Sequence, residues 1–294
     1  MKVLIDEKLN KELNHQGYVK FRLLSPEDVK SITDFYATIK EEHNVKDTLF
    51  HTTLNTSNSK LINQIDAFLK PIFEKRMKEH FLEVNQTIIG FLIKNSGAKS
   101  AVTIHQDWNY VDEEKYSSFS VWVSLQDTGI ANGCMQIIPG SHQFYNTIRT
   151  SPNIREYFHD YKEKAADFLV DVPSKMGECI LFNQGIIHAS RKNLRHEERI
   201  SCILGIYPKQ AQMLHYFLPN KEDLTDVEVY EINTQSMIFM EKDKRPPSSA
   251  LIKRFEYVAP QVPEQAFIEK CKGFVSHFTV IRNRVLNFFI GKSV

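Results

Sequence analysis

The chain has 294 residues, 42% of them hydrophobic and 25% charged, the proportions of an ordinary globular protein. Thirty-seven Lys and Arg against 36 Asp and Glu leave a net charge of +1, which argues against a nucleic-acid partner or a bulk membrane surface. No apolar run approaches the roughly 18 residues that a membrane span needs.

The N-terminal 17 residues are too charged for a secretory signal, so a cytoplasmic location is expected. The four cysteines (Cys134, Cys179, Cys202, Cys271) are widely spaced and form no C-x-x-C pair. Buried free thiols are favoured over disulfides or a zinc site. Residues 17–22 alternate enough to be a first strand. Ser25-Pro26-Glu27-Asp28 then starts a helix, with a capping hydroxyl, a proline suited to the first turn and acids at the positive end of the dipole. Val29, Ile32, Phe35, Tyr36 and Ile39 carry it to about His43. Residues 44–57 are polar and loop-like. A second helix spans about 59–81, with Pro71 expected to kink or restart it. Both apolar stripes suit helices packed outside a sheet.

From Asn85 the period changes from 3.6 to 2. Stretches at 87–94, 100–105, 117–126, 133–138, 168–172, 178–182, 185–188 and 200–207 read as short strands. Turn clusters such as Asn95-Ser-Gly, Asp127-Thr-Gly and Pro139-Gly-Ser separate them. This pattern predicts a mainly β protein with helical additions, a sandwich or jelly roll rather than a βαβ fold. An insert over about 142–166 is partly helical and suits a rim element that covers substrate. After Lys209 the pattern loosens, and Asp243-Lys-Arg-Pro-Pro-Ser-Ser is a break. Residues 263–290 show helical apolar spacing; packing on the chain's own core or on a second subunit is favoured over lying on a membrane. The expected organisation is one domain over 1–294: helical support at 1–84, the β core at 85–208 and an extension at 209–294.

His105 and Asp107 sit two apart at the end of a β-branched run, so on a strand both side chains aim at one point. With 11 His and 36 acidic residues in the chain, chance supplies about one H-x-[DE] pair. The chain holds two, and the second, His196-Glu-Glu198, lies in a run of charge that reads as a solvated turn. A facial triad needs a third ligand from a distant strand. His188, after the apolar stretch that ends at Ile187, is the candidate, although a lone histidine there is more often a hydrogen-bonded core residue. Arg199 shifts the balance. It stands eleven residues further on, at the start of the next strand, where a neighbouring antiparallel strand would return it beside His188. An inward arginine needs an anion, and a dicarboxylate such as 2-oxoglutarate offers one.

These residues carry a family resemblance. His105-Gln-Asp107, Trp122-Val-Ser-Leu-Gln126, Asn132-Gly-Cys-Met-Gln-Ile-Ile-Pro-Gly-Ser-His142 and His188-Ala-Ser with Arg199 resemble the phytanoyl-CoA dioxygenase family over about residues 85–208. The resemblance implies a double-stranded β-helix (a cupin-like jelly roll), Fe(II), and 2-oxoglutarate as co-substrate. It makes His105, Asp107 and His188 the iron ligands. Arg199 then holds the distal carboxylate of 2-oxoglutarate, Trp122 lines its pocket, and Ser201, on the same strand face, is a second contact. Gln106, Asn109 and Tyr110 are candidates for substrate contact or for supporting the ligands from behind. Asp107 argues against halogenation, because related halogenases carry a small residue there. The expected reaction is hydroxylation of an unactivated C–H bond in a small or carrier-tethered molecule, in natural-product tailoring, by a monomer or homodimer. Desaturation, epoxidation or cyclisation with the same cofactors is an alternative, as is a metal- or sugar-binding jelly roll without catalysis.

Overall fold

The structure, a computed structural model, describes residues 2–42, 49–150, 156–220, 225–241, 244–247 and 249–274. It opens on a helix that sparse apolar residues hide in the sequence. In α1 (Glu7–Gln16), Asp6 accepts from the Lys8 and Leu9 amides, and Gly17 ends the helix at φ 81°, a conformation that favours glycine. β1 (Tyr18–Arg22) follows. α2 (Pro26–Ile39) carries the expected capping box between Ser25 and Asp28. β2 (Phe50–Thr52) lies in the stretch expected to be loop. α3 (Ser59–His80) runs through Pro71. The helix does not restart there, because Pro71 and Ala67, whose carbonyl it frees, both lie on the exposed face, where that carbonyl is open to water.

The β core comprises β3 (Val84–Gln86), β4 (Gly90–Lys94), β5 (Val102–His105), β6 (Phe119–Ser124) and β7 (Met135–Ile137). After a short helix, α4 (Lys162–Ala166), come β8 (Val170–Val172), β9 (Glu178–Asn183), β10 (His188–Ser190) and β11 (Arg199–Pro208). Every pairing is antiparallel. The larger sheet has the order β1-β9-β6-β11-β4-β2, with β3 on β11; the smaller has the order β5-β10-β7-β8. The two sheets share an interior, where Trp122, Ile180 and Phe182 of the large sheet pack with Met135, Ile137 and Val172 of the small one. This is the jelly roll expected from the pattern, in the double-stranded β-helix form that the resemblance implies.

Strand parity explains the apolar runs. In β6, Trp122 points inward, whereas Phe119, Val121 and Val123 point outward and are buried under the N-terminal helices. Both faces of the large sheet are therefore covered, so it reads as continuous hydrophobic sequence. Beyond the core, β12 (Leu214–Phe217), β13 (Asp226–Glu231), α5 (Thr234–Ile238) and β14 (Ala250–Glu256) add a three-stranded sheet where the sequence pattern had loosened. A final helix, α6, covers 264–274. Its Phe267 and Cys271 are buried against Tyr157, Phe158 and Tyr161 of the insert, over the outer face of the small sheet. The rest of the expected helix, 275–290, lies outside the described residues, as does 151–155 of the insert. All four cysteines are free and buried. Among the described residues no helix is long and apolar enough to cross a membrane.

Phe91, fully buried between the large sheet and α2, tests this layering; its ring meets Tyr36 edge-on at 5.2 Å. Phe91→Ala should cost about 3–5 kcal/mol of unfolding free energy. Chemical denaturation measures it, and a loss below about 1 kcal/mol would mean that the helices do not cover this face.

Candidate metal centre

Register places the three candidate ligands. His188 in β10 stands directly opposite His105 in β5, so both rings project from the same face into the barrel, with centroids 4.2 Å apart. Asp107 follows two residues after His105, as the strand leaves the sheet. Its Oδ1 lies 3.8 Å from His105 Nε2 and 3.7 Å from His188 Nε2. One donor atom from each of the three lies within 4.8 Å of the others. Donors each about 2.1 Å from a shared ion lie about 3–3.5 Å apart, so small side-chain shifts bring all three onto one metal ion.

The neighbours fix the orientation. His105 Nδ1 is 2.8 Å from the Thr103 carbonyl oxygen, and His188 Nδ1 is 3.1 Å from that of Ile186. A carbonyl only accepts, so each Nδ1 carries the proton and each Nε2 presents its lone pair to the centre. Burial, followed by the neighbouring His105, pulls the His188 imidazole well below the usual histidine range and keeps it neutral. Ser120 Oγ donates to Asp107 Oδ2 at 2.9 Å. The Asp107 amide donates to the Gln184 carbonyl at 3.1 Å, and the Asp107 carbonyl accepts from Arg149 Nε at 2.5 Å. Arg149 is itself held by Glu113 at 2.6 Å.

Two cavities meet at these ligands, sharing His105, Asp107, Leu92 and Ile203 in their walls. The smaller, about 210 Å³, ends at Arg199, Trp122 and Ser190. The Arg199 guanidinium carbon stands 5.2 Å from the Trp122 ring centroid. Arg199 is 2% exposed and its Nε is buried without a hydrogen-bond partner. Burial lowers its pKa to about 10. The larger cavity, about 350 Å³, opens on the other side of the ligands and is lined by Thr52, Asn55, Gln106, Trp108, Tyr110 and Gln184.

The structure brings His105, Asp107, His188, Trp122 and Arg199 around one space. Arg199 arrives by another route than its spacing from His188 suggests. β10 is flanked by β5 and β7, and β11 by β4 and β6, so the two strands sit in facing sheets and Arg199 reaches the site across the interior. Ser201 shares the Arg199 face but is fully buried outside the cavity wall, its Oγ 3.5 Å from the Leu92 carbonyl oxygen. Gln106 and Tyr110 reach the larger cavity, and Gln106 Nε2 also donates to the Gly185 carbonyl at 2.5 Å. Asn109 is framework instead: it is buried, and its Oδ1 accepts the Arg149 amide at 2.5 Å. His196 is exposed in its turn. Sequence reasoning missed Lys94, Ser120, Arg149 and Ser190. Strand parity offers a signal for three of them, Ser190 being two after His188, Ser120 two before Trp122 and Lys94 two after Leu92.

A jelly roll with two histidines and a carboxylate on its inner wall, and open space on both sides of them, defines the class: a β-barrel with a candidate mononuclear metal centre. A family model described as phytanoyl-CoA dioxygenase matches residues 13–201, and the chain belongs to that family. A phytanoyl-CoA dioxygenase from Arabidopsis thaliana is 32% identical over 121 residues, 40% of this chain and 42% of that protein. A phytanoyl-CoA dioxygenase domain-containing protein 1 homolog from Dictyostelium discoideum is 29% identical over 119 residues, 38% of this chain and 42% of that protein. The chain thus spans about two fifths of the length of these curated relatives. Among solved structures, the non-heme alpha ketoglutarate dependent carbocyclase SnoK from nogalamycin biosynthesis matches with TM-score 0.54 at 16% identity, over 71% of this chain and 86% of that one. The epimerase SnoN, solved with Fe3+, alpha ketoglutarate and nogalamycin RO, matches with TM-score 0.53 at 16% identity, over 88% of this chain and 96% of that one. At that identity the likeness is one of fold.

Ser120 tests the second layer of the site. Ser120→Ala should weaken binding of a divalent ion such as Mn2+ by about 10–100-fold, while His196→Ala leaves it unchanged. Calorimetric titration of the apo chain measures both, and equal affinities for wild type and Ser120→Ala would remove this hydrogen bond from the site.

Proposed function

We propose that the chain is an Fe(II)- and 2-oxoglutarate-dependent oxygenase that hydroxylates an unactivated C–H bond of a small or carrier-tethered molecule, in biosynthetic tailoring. One observation carries this reading. A cavity that begins at two histidines and a carboxylate ends at a buried arginine with no carboxylate partner among the described residues. Two imidazoles and one carboxylate on one face suit Fe(II) and leave positions open for exchangeable ligands. A buried guanidinium calls for an anion, and its planar fork matches a carboxylate. A linear 2-oxo diacid would be held at both ends, its 2-oxo acid group by the ligands and its distal carboxylate by Arg199. At about 210 Å³ the cavity falls below the roughly 300–1,000 Å³ typical of drug-sized ligands and suits a small acid.

The larger cavity supports a substrate that is uncharged near the reacting carbon. No Lys or Arg lines it, and its ionisable groups are the two ligands and Tyr110, whose hydroxyl burial pushes well above its ordinary pKa. Trp108 offers a flat apolar face, while Thr52, Asn55, Gln106 and Gln184 offer neutral polar contacts. When bound, iron and 2-oxoglutarate supply from dioxygen the oxidising power that breaks the C–H bond. The protein contributes placement. His105 and His188 turn their Nε2 atoms to the centre, Asp107 keeps one oxygen on Ser120 and offers the other, and Leu92 and Ile203 give the junction of the cavities apolar walls.

Anaerobic addition of Fe(II) and 2-oxoglutarate should produce a visible charge-transfer band, and its absence would overturn the reading. His105→Ala and Asp107→Ala should abolish conversion of 2-oxoglutarate to succinate; full turnover in either would remove the metal assignment. Arg199→Ala should raise the 2-oxoglutarate requirement by roughly 30-fold or more, the loss of about 2 kcal/mol from a buried charge pair. An unchanged requirement would exclude Arg199 from the site.

A further inference from the structure

Lys94 ends β4, an apolar strand whose outward residues Phe91 and Ile93 lie in the core under the helices. Parity turns Lys94 inward with Leu92. It is fully buried and stands directly opposite Arg199 in the β11–β4 register. Its Nζ donates to Ser190 Oγ at 2.6 Å and to the Arg191 carbonyl at 2.7 Å, and lies 5.4 Å from the Phe50 ring centroid. None of these partners is anionic. The nearby acids are engaged elsewhere, Asp171 with Arg191 at 2.7 Å and Glu198 with Lys40 at 2.7 Å. Two buried cations therefore share the closed end of the small cavity, and no described carboxylate pairs with either. Burial, and then the Arg199 charge, pull the Lys94 ammonium down to about 7, a cost that an anion beside it would offset.

The hydrogen bond to Ser190 has a direction. In the charged form, which a bound anion favours, the ammonium only donates, so Ser190 Oγ accepts and the hydroxyl keeps its own proton to give. Ser190 lines the cavity with Arg199, whereas Lys94 lies behind that wall. We infer that Lys94 is a positioning residue for the co-substrate: it turns the Ser190 hydroxyl proton toward the cavity and adds a second positive charge behind Arg199, so that the site selects 2-oxo acids with a distal carboxylate over those without one. This rests on the 2-oxoglutarate reading above.

The test is binding to the 294-residue chain loaded anaerobically with Fe(II), read by the charge-transfer band, with 2-oxoglutarate and 2-oxobutyrate as probes. Lys94→Met should weaken 2-oxoglutarate at least 10-fold, leave the weak binding of 2-oxobutyrate unchanged, and leave thermal stability of the ligand-free chain equal or higher, because an uncompensated buried charge is removed. Ser190→Ala should weaken 2-oxoglutarate too, and adding Lys94→Met to it should cost distinctly less than Lys94→Met does alone. Equal losses for both probes, lower stability with both, or full additivity with Ser190→Ala would each overturn the inference. Wild-type chain that binds no 2-oxoglutarate would defeat the underlying reading and this inference with it. Wild-type and Lys94→Met chains that bind it equally would defeat this inference alone.

Discussion

The pairing of β5 with β10 is the constraint on which the site depends. It sets His105 opposite His188, and a slip of one residue would send one of the rings out of the barrel. β10 is only three residues long, so its register must be held from outside. β7 does so on its other edge, pairing Ile137 with His188. Just before the histidine, Ile187 donates to Ser141 Oγ at 2.8 Å, and its carbonyl accepts the Ile138 amide at 2.9 Å. The Pro139-Gly-Ser-His142 turn thus has a mechanical role. Gly140, at φ 77°, turns the chain so that Ser141 can reach back to the strand carrying His188. The motif lies far from His188 in sequence and beside it in space.

Charge is distributed unevenly inside the barrel. Asp107 is the one carboxylate among the groups lining the small cavity, and it faces the two histidines. Lys94 and Arg199 stand in the wall or just behind it at the other end, with no counter-ion among the described residues. Taking an ion out of water costs several kcal/mol unless it is paired. A fold under selection for stability alone would place an acid beside them or replace them with apolar residues. Under the proposed function a bound anion would offset that cost, which would couple anion binding to the stability of the β11–β4 pair.

Much of this was legible in the sequence, and the rest was hidden for identifiable reasons. Short apolar runs bounded by turn clusters marked the core strands, because covered inner and outer faces leave few polar interruptions in β6 and β9. His105 and Asp107 were legible through strand parity. α1 was not, since it buries only Leu13 and Asn10 fully, although Asp6 and Gly17 flank it with cap signals. The sheet β12-β13-β14 was missed because its strands are joined by long connections with no tight-turn dipeptide. The route of Arg199 was unreadable in principle: spacing along the chain does not say which sheet a strand joins. Ser201 shows the limit of parity, which gives a face but not whether a short side chain on that face reaches open space.

Arg149 completes the electrostatic division. It lies beside the larger cavity, against the backbone of Asp107, and would add a third positive charge to the site. Glu113 neutralises it at 2.6 Å, and its remaining donors go to the Thr147 and Asp107 carbonyls. Its charge is consumed in shaping the loop that carries Asp107, and none is left to attract an anion. In the proposed reaction this difference sorts the two ligands. A dianionic co-substrate finds uncompensated charge only at the closed end, past Leu92 and Ile203. A neutral substrate meets no such field and can settle in the larger space beside Trp108. The same three ligands can then serve two molecules without either taking the other's place, because electrostatics rather than shape alone decides which side each one enters.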